Sequence, residues 1–184
     1  MESPTRQRIE PQQRRSVERY ERAVETAEAM VAERGFEDVT MTDVAADAGL
    51  SIGALYRWFP DRDALGVEVA KRVMRRVAPF IGDDVERVLR DLAERVPADR
   101  AAVSIVGRPI DRPGPGRVVH DHLERMMRPL VAETAHATML AILARGMLQH
   151  LAALEALARP ALVDEFVVAA RAYVGQAVLS RSSL

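Results

Sequence analysis

The chain has 184 residues, of which 48% are hydrophobic and 29% are charged, and its 26 basic and 27 acidic residues give a net charge of -1. This length suits one domain or two small units that share a core, and the apolar content excludes a disordered chain. The balanced charge provides no global attraction to nucleic acids or anionic membranes, so such binding would need a local patch. Because the chain has no cysteine, disulfides and thiolate zinc sites are excluded, which is typical of a reducing compartment.

No segment of the sequence resembles a membrane anchor or a signal peptide. The first residues lack an apolar stretch, and the longest uncharged run, 134–144, is far shorter than the roughly 20 residues that span a bilayer. We therefore expect a cytoplasmic protein without a membrane partner.

The N-terminal region predicts a flexible basic arm followed by a helix. Residues 1–16 contain two prolines, the four arginines Arg6, Arg8, Arg14 and Arg15, and no apolar period. Ser16 is the predicted N-cap of the helix, and Gly35 is its predicted end. The apolar face of this helix repeats with helical spacing at Val17, Tyr20, Val24, Ala27 and Val31.

Residues 39–65 carry the most informative pattern. Thr40 and Asp43 fit a capping box at the start of one short helix, which Gly49 ends, and Ser51 caps the next helix after a tight turn. Two short helices joined in this way cross steeply, which predicts a helix-turn-helix unit. The same spacing is compatible with an αα-corner in an all-α enzyme.

The second helix of this unit has the composition expected of a DNA-reading helix. Leu55 and Phe59, four residues apart, should point inward. The outer and flanking faces should then present Ile52, Gly53, Ala54, Tyr56, Arg57 and Trp58. Arg57 could bind a guanine edge through two hydrogen bonds, while Ile52 or Ala54 could pack on thymine methyl groups. Phosphate oxygens would suit the hydroxyls of Thr40, Thr42, Ser51 and Tyr56, and the guanidinium of Arg62.

Residues 17–75 resemble the tetracycline-repressor (TetR/AcrR) family of bacterial transcriptional regulators. The matching pieces are Ala29 to Phe36, Thr40-x-x-Asp43-Val44-Ala45, Ala48-Gly49-Leu50-Ser51, Gly53 to Phe59, and Asp61-x-Asp63-Ala64-Leu65. The resemblance implies a three-helix DNA-binding unit, a connecting helix, a ligand-binding C-terminal domain and a homodimer formed by the last two helices. It also assigns DNA contacts to Thr42, Ser51, Gly53, Ala54, Tyr56, Arg57, Trp58 and Arg62. The chain departs from the common pattern at Trp58 and in the single basic residue of Pro60-Asp61-Arg62.

The rest of the chain predicts further helices and no strands. A connecting helix, capped by Asp61, carries the apolar stripe Leu65, Val69, Val73 and Val77 and ends at Pro79. A loop rich in proline and glycine follows at 107–117, and three helical stretches are predicted at 118–128, 132–158 and 161–180. We therefore predict an all-α fold of eight or nine helices. Its parts are an arm (1–16), a DNA-binding domain (17–60), a connecting helix (61–79) and a ligand-binding and dimerisation domain (80–184).

The last two helices contain many small and apolar residues and few charges. Close helix approach would be allowed by Ala152, Ala153, Ala169, Ala170 and Ala177, and apolar area would come from Leu151, Leu154, Phe166 and Val174. Residues 132–180 are therefore predicted to form a homodimer.

Enzyme patterns are weak in this sequence. His120 and His122 are two apart, so on a helix they face opposite sides and cannot share a metal ion. Glu133 and His136 supply only one copy of a spacing that di-iron bundles need twice. We therefore expect no catalytic residues, metal site or cofactor, although an all-α helical-bundle binding protein or metal enzyme stays the alternative.

The expected function is a ligand-responsive repressor that binds palindromic double-stranded operator DNA and is released by a small-molecule inducer of unknown identity. Methionine adapts to apolar ligands, and histidine, glutamate and arginine could anchor the polar groups of such a ligand. The candidate ligand contacts are His120, Glu124, Met127, His136, Met139 and Arg145.

Overall fold

The computed structural model describes residues 11–78, 84–131, 133–154 and 159–179. The regular elements of this part of the chain are all helices, which confirms the predicted all-α fold. Its helices are α1 (Pro11–Arg34), α2 (Met41–Asp47), α3 (Ile52–Trp58), α4 (Arg62–Val77), α5 (Val85–Ala98), α6 (Arg100–Val106), α7 (Pro115–Met127), α8 (Thr134–Ala153) and α9 (Arg159–Leu179), with a 3-10 turn at Arg128–Leu130.

Helix α1 begins earlier than the sequence predicts. Its described part already includes Pro11 to Ser16, so Ser16 lies inside the helix and is not its N-cap. Arg14 and Arg15 are therefore exposed residues of a helix and not part of a flexible arm, while Arg6 and Arg8 lie outside the described residues. The predicted end is confirmed, with Gly35 at a φ of 87°.

Buried side chains of all nine helices form one continuous core. The predicted stripe of α4 is confirmed, since Leu65, Val69, Val73 and Val77 are all buried, and α4 packs along α7, which in turn packs on α8. On α1, Val17 is 57% exposed, contrary to its predicted place on the apolar face. The predicted end of α4 at Pro79 falls outside the described residues.

Ion pairs hold α4 against α1. The guanidinium of Arg72 lies 3.1 Å from Glu21, 2.8 Å from Glu25 and 2.9 Å from Glu28. Arg76 continues the network to Glu28 and Asp99. Exposed ion pairs contribute little one at a time, but a network on one face favours a single arrangement of the two helices. The connecting helix is thus fixed to the first helix of the N-terminal unit.

The loop between α6 and α7 is shorter than predicted. It covers 107–114, because Pro115, Gly116 and Arg117 form the first turn of α7. The predicted helices at 132–158 and 161–180 are observed as α8 and α9, and residues 132, 155–158 and 180 lie outside the described part. No helix in the described ranges is long and apolar enough to cross a bilayer.

Gly116 is buried where the loop folds back on α7, and a methyl group there would collide with the carbonyl oxygens of Arg108 and Pro109. Since these are backbone atoms, they can move only if the loop moves. We expect Gly116→Ala to lower the free energy of unfolding by about 2 kcal/mol, measured by urea denaturation. Gly107→Ala is the control, because its methyl group would meet only the Gln149 side chain at 3.7 Å. Equal urea midpoints for the two variants would contradict this packing role.

Candidate nucleic-acid interface

The α2–α3 turn has the geometry that its sequence predicts. The Thr40 hydroxyl accepts a hydrogen bond from the Asp43 amide at 3.2 Å, and the Ser51 hydroxyl accepts one from the Ala54 amide at 3.2 Å. Gly49 adopts a φ of 65°, a left-handed conformation that glycine takes without strain. The Leu50 amide then bonds back to the Ala45 carbonyl at 2.8 Å. These bonds confirm both caps and the turn.

The second half of the predicted capping box is wrong. The Asp43 carboxylate does not return to the backbone of Thr40 but accepts a hydrogen bond from Arg34 at 2.8 Å. Aspartate is one methylene shorter than the glutamate usual at this position, and a cationic donor at the end of α1 competes for it. Asp43 therefore joins α2 to α1.

Helix α3 buries one side and presents the other to solvent. Leu55 and Phe59 are buried, as predicted. Ala54 differs from its prediction because it is only 6% exposed, so its methyl group packs inside the protein and is poorly placed to reach a thymine. A seven-residue helix has barely two turns, and spacing alone does not separate its flanking positions from its core positions.

The exposed side of α3 consists of Ile52, Gly53, Tyr56 and Arg57. Ile52 is 42% exposed and Tyr56 is 49% exposed, which is unusual for large side chains without a partner. Arg57 forms no ion pair with any described residue, so its guanidinium is available. This face combines an apolar contact, a phenol and a free cation, as a groove-reading helix requires.

Hydroxyl groups flank this exposed face. Thr40, Thr42 and Ser51 are all exposed. The capping hydroxyls of Thr40 and Ser51 use an oxygen lone pair as acceptor, so their hydrogens stay free to donate. They could therefore cap their helices and bind phosphate oxygens at the same time.

Trp58 and Arg62 are engaged within the protein. The ring of Trp58 is half-buried and meets the Tyr20 ring edge to face, with centroids 6.0 Å apart. Arg62 donates to the Glu37 carbonyl at 2.6 Å and to its carboxylate at 2.9 Å. The DNA contacts predicted for both residues stay predictions, and a phosphate would have to compete with Glu37 for Arg62.

Gly53 has a role that packing inside the protein does not explain. A methyl group built on it meets no atom within 4 Å, and its φ is not left-handed. Glycine inside a helix costs about 0.5–1 kcal/mol relative to alanine, so its presence here indicates close approach by an outside partner. We expect Gly53→Ala to raise the free energy of unfolding by about 0.5 kcal/mol while weakening DNA binding roughly tenfold, measured by urea denaturation and fluorescence anisotropy. Unchanged DNA affinity would contradict this close approach.

The six predicted ligand contacts do not line one described cavity. His120, Glu124 and Met127 lie on α7, where His120 is 6% exposed and its Nε2 is 3.8 Å from a Glu124 oxygen. Its Nδ1 is buried without a hydrogen-bond partner among the described residues. His136 is on α8 and stacks edge to face on Tyr173.

The remaining two ligand candidates, Met139 and Arg145, both lie on α8. Met139 is 44% exposed on α8. Arg145 donates to the carbonyls of Val106 and Arg108 at the end of α6, and burial lowers the pKa of its guanidinium. Arg145 thus holds the start of the α6–α7 loop, and the ligand contacts predicted for Arg145 and Met139 stay predictions.

Sequence reasoning missed the contacts of Glu37 and Arg108. Glu37 accepts hydrogen bonds from both Arg62 and Arg108, and both guanidinium groups lie over the Phe36 ring at 5.1 and 5.0 Å. Arg62 and Arg108 are 25 and 71 positions from Glu37 in the sequence, so no local pattern could have identified these contacts.

His122 has its Nε2 2.9 Å from the carbonyl oxygen of Ala78. Across the described ranges, no group of three or more histidine and acidic side chains is placed to hold a metal ion.

Residues 23–69 match the family described as bacterial regulatory proteins, tetR family. The chain is 31% identical over 99 residues to the HTH-type transcriptional regulator PksA of Bacillus subtilis, an alignment that covers 48% of each protein. It is also 33% identical over 85 residues to an uncharacterized HTH-type transcriptional regulator of Mycobacterium tuberculosis, covering 46% of this chain and 39% of that one. The matched region thus spans about half the length of these relatives or less.

Solved structures share the fold over most of the chain. A TetR transcriptional regulator from Rhodococcus sp. RHA1 superposes with a TM-score of 0.60 at 23% identity, over 86% of this chain and 96% of that one. A TetR-family regulator from Streptomyces coelicolor gives a TM-score of 0.62 at 18% identity, over 91% and 99%. These superpositions confirm the fold that the sequence resemblance implied.

Proposed function

We propose that the protein is a transcriptional repressor, because residues 23–69 match the family described as bacterial regulatory proteins, tetR family. It binds a palindromic operator as a homodimer and is released by a small-molecule inducer. The single observation that carries this proposal is the exposed face of α3, where Ile52, Gly53, Tyr56 and Arg57 lack a structural role. The proposed DNA contacts are this face, the hydroxyls of Thr40, Thr42 and Ser51, and Arg62.

Direct binding to DNA tests this proposal. Labelled DNA from upstream of the protein's own coding region should bind with a Kd on the order of 10 nM at physiological salt, and scrambled DNA at least about 10³-fold more weakly. Fluorescence anisotropy measures both affinities. Equal affinity for the two DNAs at every salt concentration would contradict sequence-specific operator binding.

Repressor release requires a path from the C-terminal helices to α3, and a series of polar contacts supplies one. Arg145 of α8 holds the carbonyls of Val106 and Arg108, and the Arg108 side chain binds Glu37. Glu37 in turn binds Arg62, the first residue of α4. Only Phe59, Pro60 and Asp61 separate Arg62 from α3. A shift of α8 would therefore reach the end of the DNA-reading helix.

The far end of α4 is joined to the same domain. His122 of α7 contacts the Ala78 carbonyl at 2.9 Å, and the apolar stripe of α4 is buried against the core. Because packed helices move as rigid units, a ligand that displaces α7 would move α4 and α3 together. The ligand must bind the displaced state more tightly than the DNA-binding state to release the operator.

The best-supported part of the proposed inducer site is on α7. His120 has a buried Nδ1 without a described partner, next to Glu124, and Met127 is fully buried nearby on the same helix. Buried polar atoms are normally hydrogen-bonded, so an unpaired one indicates a partner that binds there. We propose His120, Glu124 and Met127 as ligand contacts, with His136 as a further candidate.

The outer faces of α8 and α9 support the proposed dimer. Met139, Ile142 and Val168 are 44%, 48% and 68% exposed, so this surface carries apolar groups that the protomer does not cover. Methyl groups at Gly146 and Gly175 would meet no atom within 4 Å. Small residues beside exposed apolar ones allow two helix pairs to approach closely.

The path through Glu37 predicts a measurable coupling. We expect Glu37→Gln to lower the free energy of unfolding by about 1 kcal/mol, because both of its charged partners are only partly exposed. In a double-mutant cycle with Arg108→Gln, the coupling should be about 0.5–1 kcal/mol, measured by urea denaturation. Glu94→Gln, an exposed acid of α5, is the control. A coupling of zero would mean that this contact does not join the two regions.

A further inference from the structure

A cleft of about 570 Å³ lies between the N-terminal unit and the α6–α7 loop, beside the end of α3, and its lining contains none of the proposed inducer contacts. Three aromatic rings contribute to it. The Tyr20 ring stands at 83° to the Trp58 ring and lies 5.0 Å from the Phe59 ring, centroid to centroid. Because Phe59 is only 2% exposed, the aromatic corner of the cleft consists of the partly exposed rings of Tyr20 and Trp58, whose quadrupoles can attract a cation.

The polar lining of the cleft is predominantly acidic. Asp61, Asp63 and Glu68 contribute three carboxylates, and Arg112 is the single basic residue in the lining. Two of these carboxylates already have partners within the protein, since Asp61 caps α4 and Glu68 lies 2.7 Å from Lys71. The pKa of Tyr20 is raised to about 12, first by burial and then by Glu68. Its ring therefore stays neutral.

Arg112 indicates which chemical group the cleft accepts. Its guanidinium lies 3.6 Å from the Asp63 carboxylate, a loose contact for an ion pair, and its side chain is 60% exposed. The Arg112 guanidinium thus lies at the mouth of the cleft and is bound there only weakly. A small cation from solution that makes closer contact with the rings could take its place.

We propose that this cleft binds a small organic cation, an alkylammonium or guanidinium compound, between the aromatic corner and the Asp63 and Glu68 carboxylates. Such a site would be additional to the proposed inducer site on α7. Its occupant would contact the end of α3, the start of α4 and the α6–α7 loop together.

Trp58 is the only tryptophan of the chain, so its fluorescence reports binding at this cleft directly. Choline is the probe, and 3,3-dimethyl-1-butanol is its neutral control of the same shape, with ionic strength held constant by NaCl. We expect choline to change the fluorescence saturably with a Kd in the range of about 1–10 mM, as its size allows, and the neutral alcohol to bind at least about fivefold more weakly. Equal responses to the two compounds, or no saturable response, would overturn the proposal.

Variants of the lining should shift the choline affinity in opposite directions. Asp63→Asn and Glu68→Gln should each weaken it about three- to tenfold, because each removes one attractive charge near the surface. Arg112→Ala should strengthen it about two- to fivefold, because it removes the internal competitor. Glu94→Gln, on α5 and outside the lining, should leave it unchanged. If Arg112→Ala weakens binding, or Glu94→Gln has the effect of Asp63→Asn, the cleft is not the site. Because no DNA is present, the result does not depend on the repressor function.

Discussion

Arg57→Ala is expected to weaken operator binding by about 1–3 kcal/mol per half-site, roughly 5- to 150-fold, and to leave binding to scrambled DNA nearly unchanged. The reason is its position, because Arg57 is exposed on α3, forms no ion pair with a described residue and lies one helical turn after Gly53. Close approach of the helix at Gly53 would bring the guanidinium to the base edges. Anisotropy titrations on both DNAs measure the effect.

Two further arginine variants separate base reading from general charge. Arg75→Ala removes the same charge from the last turn of α4, far along that helix from α3, and should change neither affinity. Arg62→Ala should weaken binding to all sequences alike and reduce the salt dependence by about one unit, if Arg62 leaves Glu37 to bind phosphate. An equal loss on operator and scrambled DNA for Arg57→Ala would mean that Arg57 contacts the backbone and not the bases.

The features that the sequence predicted correctly all depend on short-range interactions. Thr40, Ser51 and Asp61 cap their helices through bonds to amides three residues away, and Gly49 reverses the chain at the predicted point. Such bonds need only the local residue types, so the helix-turn-helix unit was visible in 27 residues. The repeat of apolar residues along α4 likewise predicted its buried side.

Errors arose where two local signals competed or where a helix was too short. Ser16 is a good capping residue by type, yet it lies within α1. Ala54 fits both faces of a two-turn helix, and only packing against the other helices decides that it is buried. Local propensity cannot resolve either case, since the difference is set by tertiary contacts.

Long-range contacts were not predictable from one sequence. The pairing of Glu37 with Arg62 and Arg108 depends on how the α1–α2 and α6–α7 loops meet. Met139 and Met127 are the same residue type on neighbouring helices, but one is exposed and the other is fully buried. The side of a helix that faces a pocket, the core or a second protomer follows from packing, which a single sequence does not reveal.

The proposed dimer surface also needed correction in its details. Leu151 and Ala170 were predicted to lie in the interface, but both are buried within the protomer. A charge at Ala170 would therefore disrupt the folded chain itself and would not test dimerisation. Substitutions at the exposed residues Val168, Met139 and Ile142 test dimerisation without disturbing the core of the protomer.

Val168→Arg is expected to convert the proposed dimer to a monomer with little loss of protomer stability. Val168 is 68% exposed in the protomer, so an arginine there is hydrated in the monomer but would be buried without a partner in an α8–α9 interface. Light scattering should give a mass of 20.4 kDa in place of twice that value. Operator affinity should fall by about 10²-fold or more, because two linked half-site contacts become separate binding events. Val17→Arg, which adds the same charge at an exposed valine of α1, should stay dimeric. A Val168→Arg protein that remains dimeric would place the interface on another surface of the molecule.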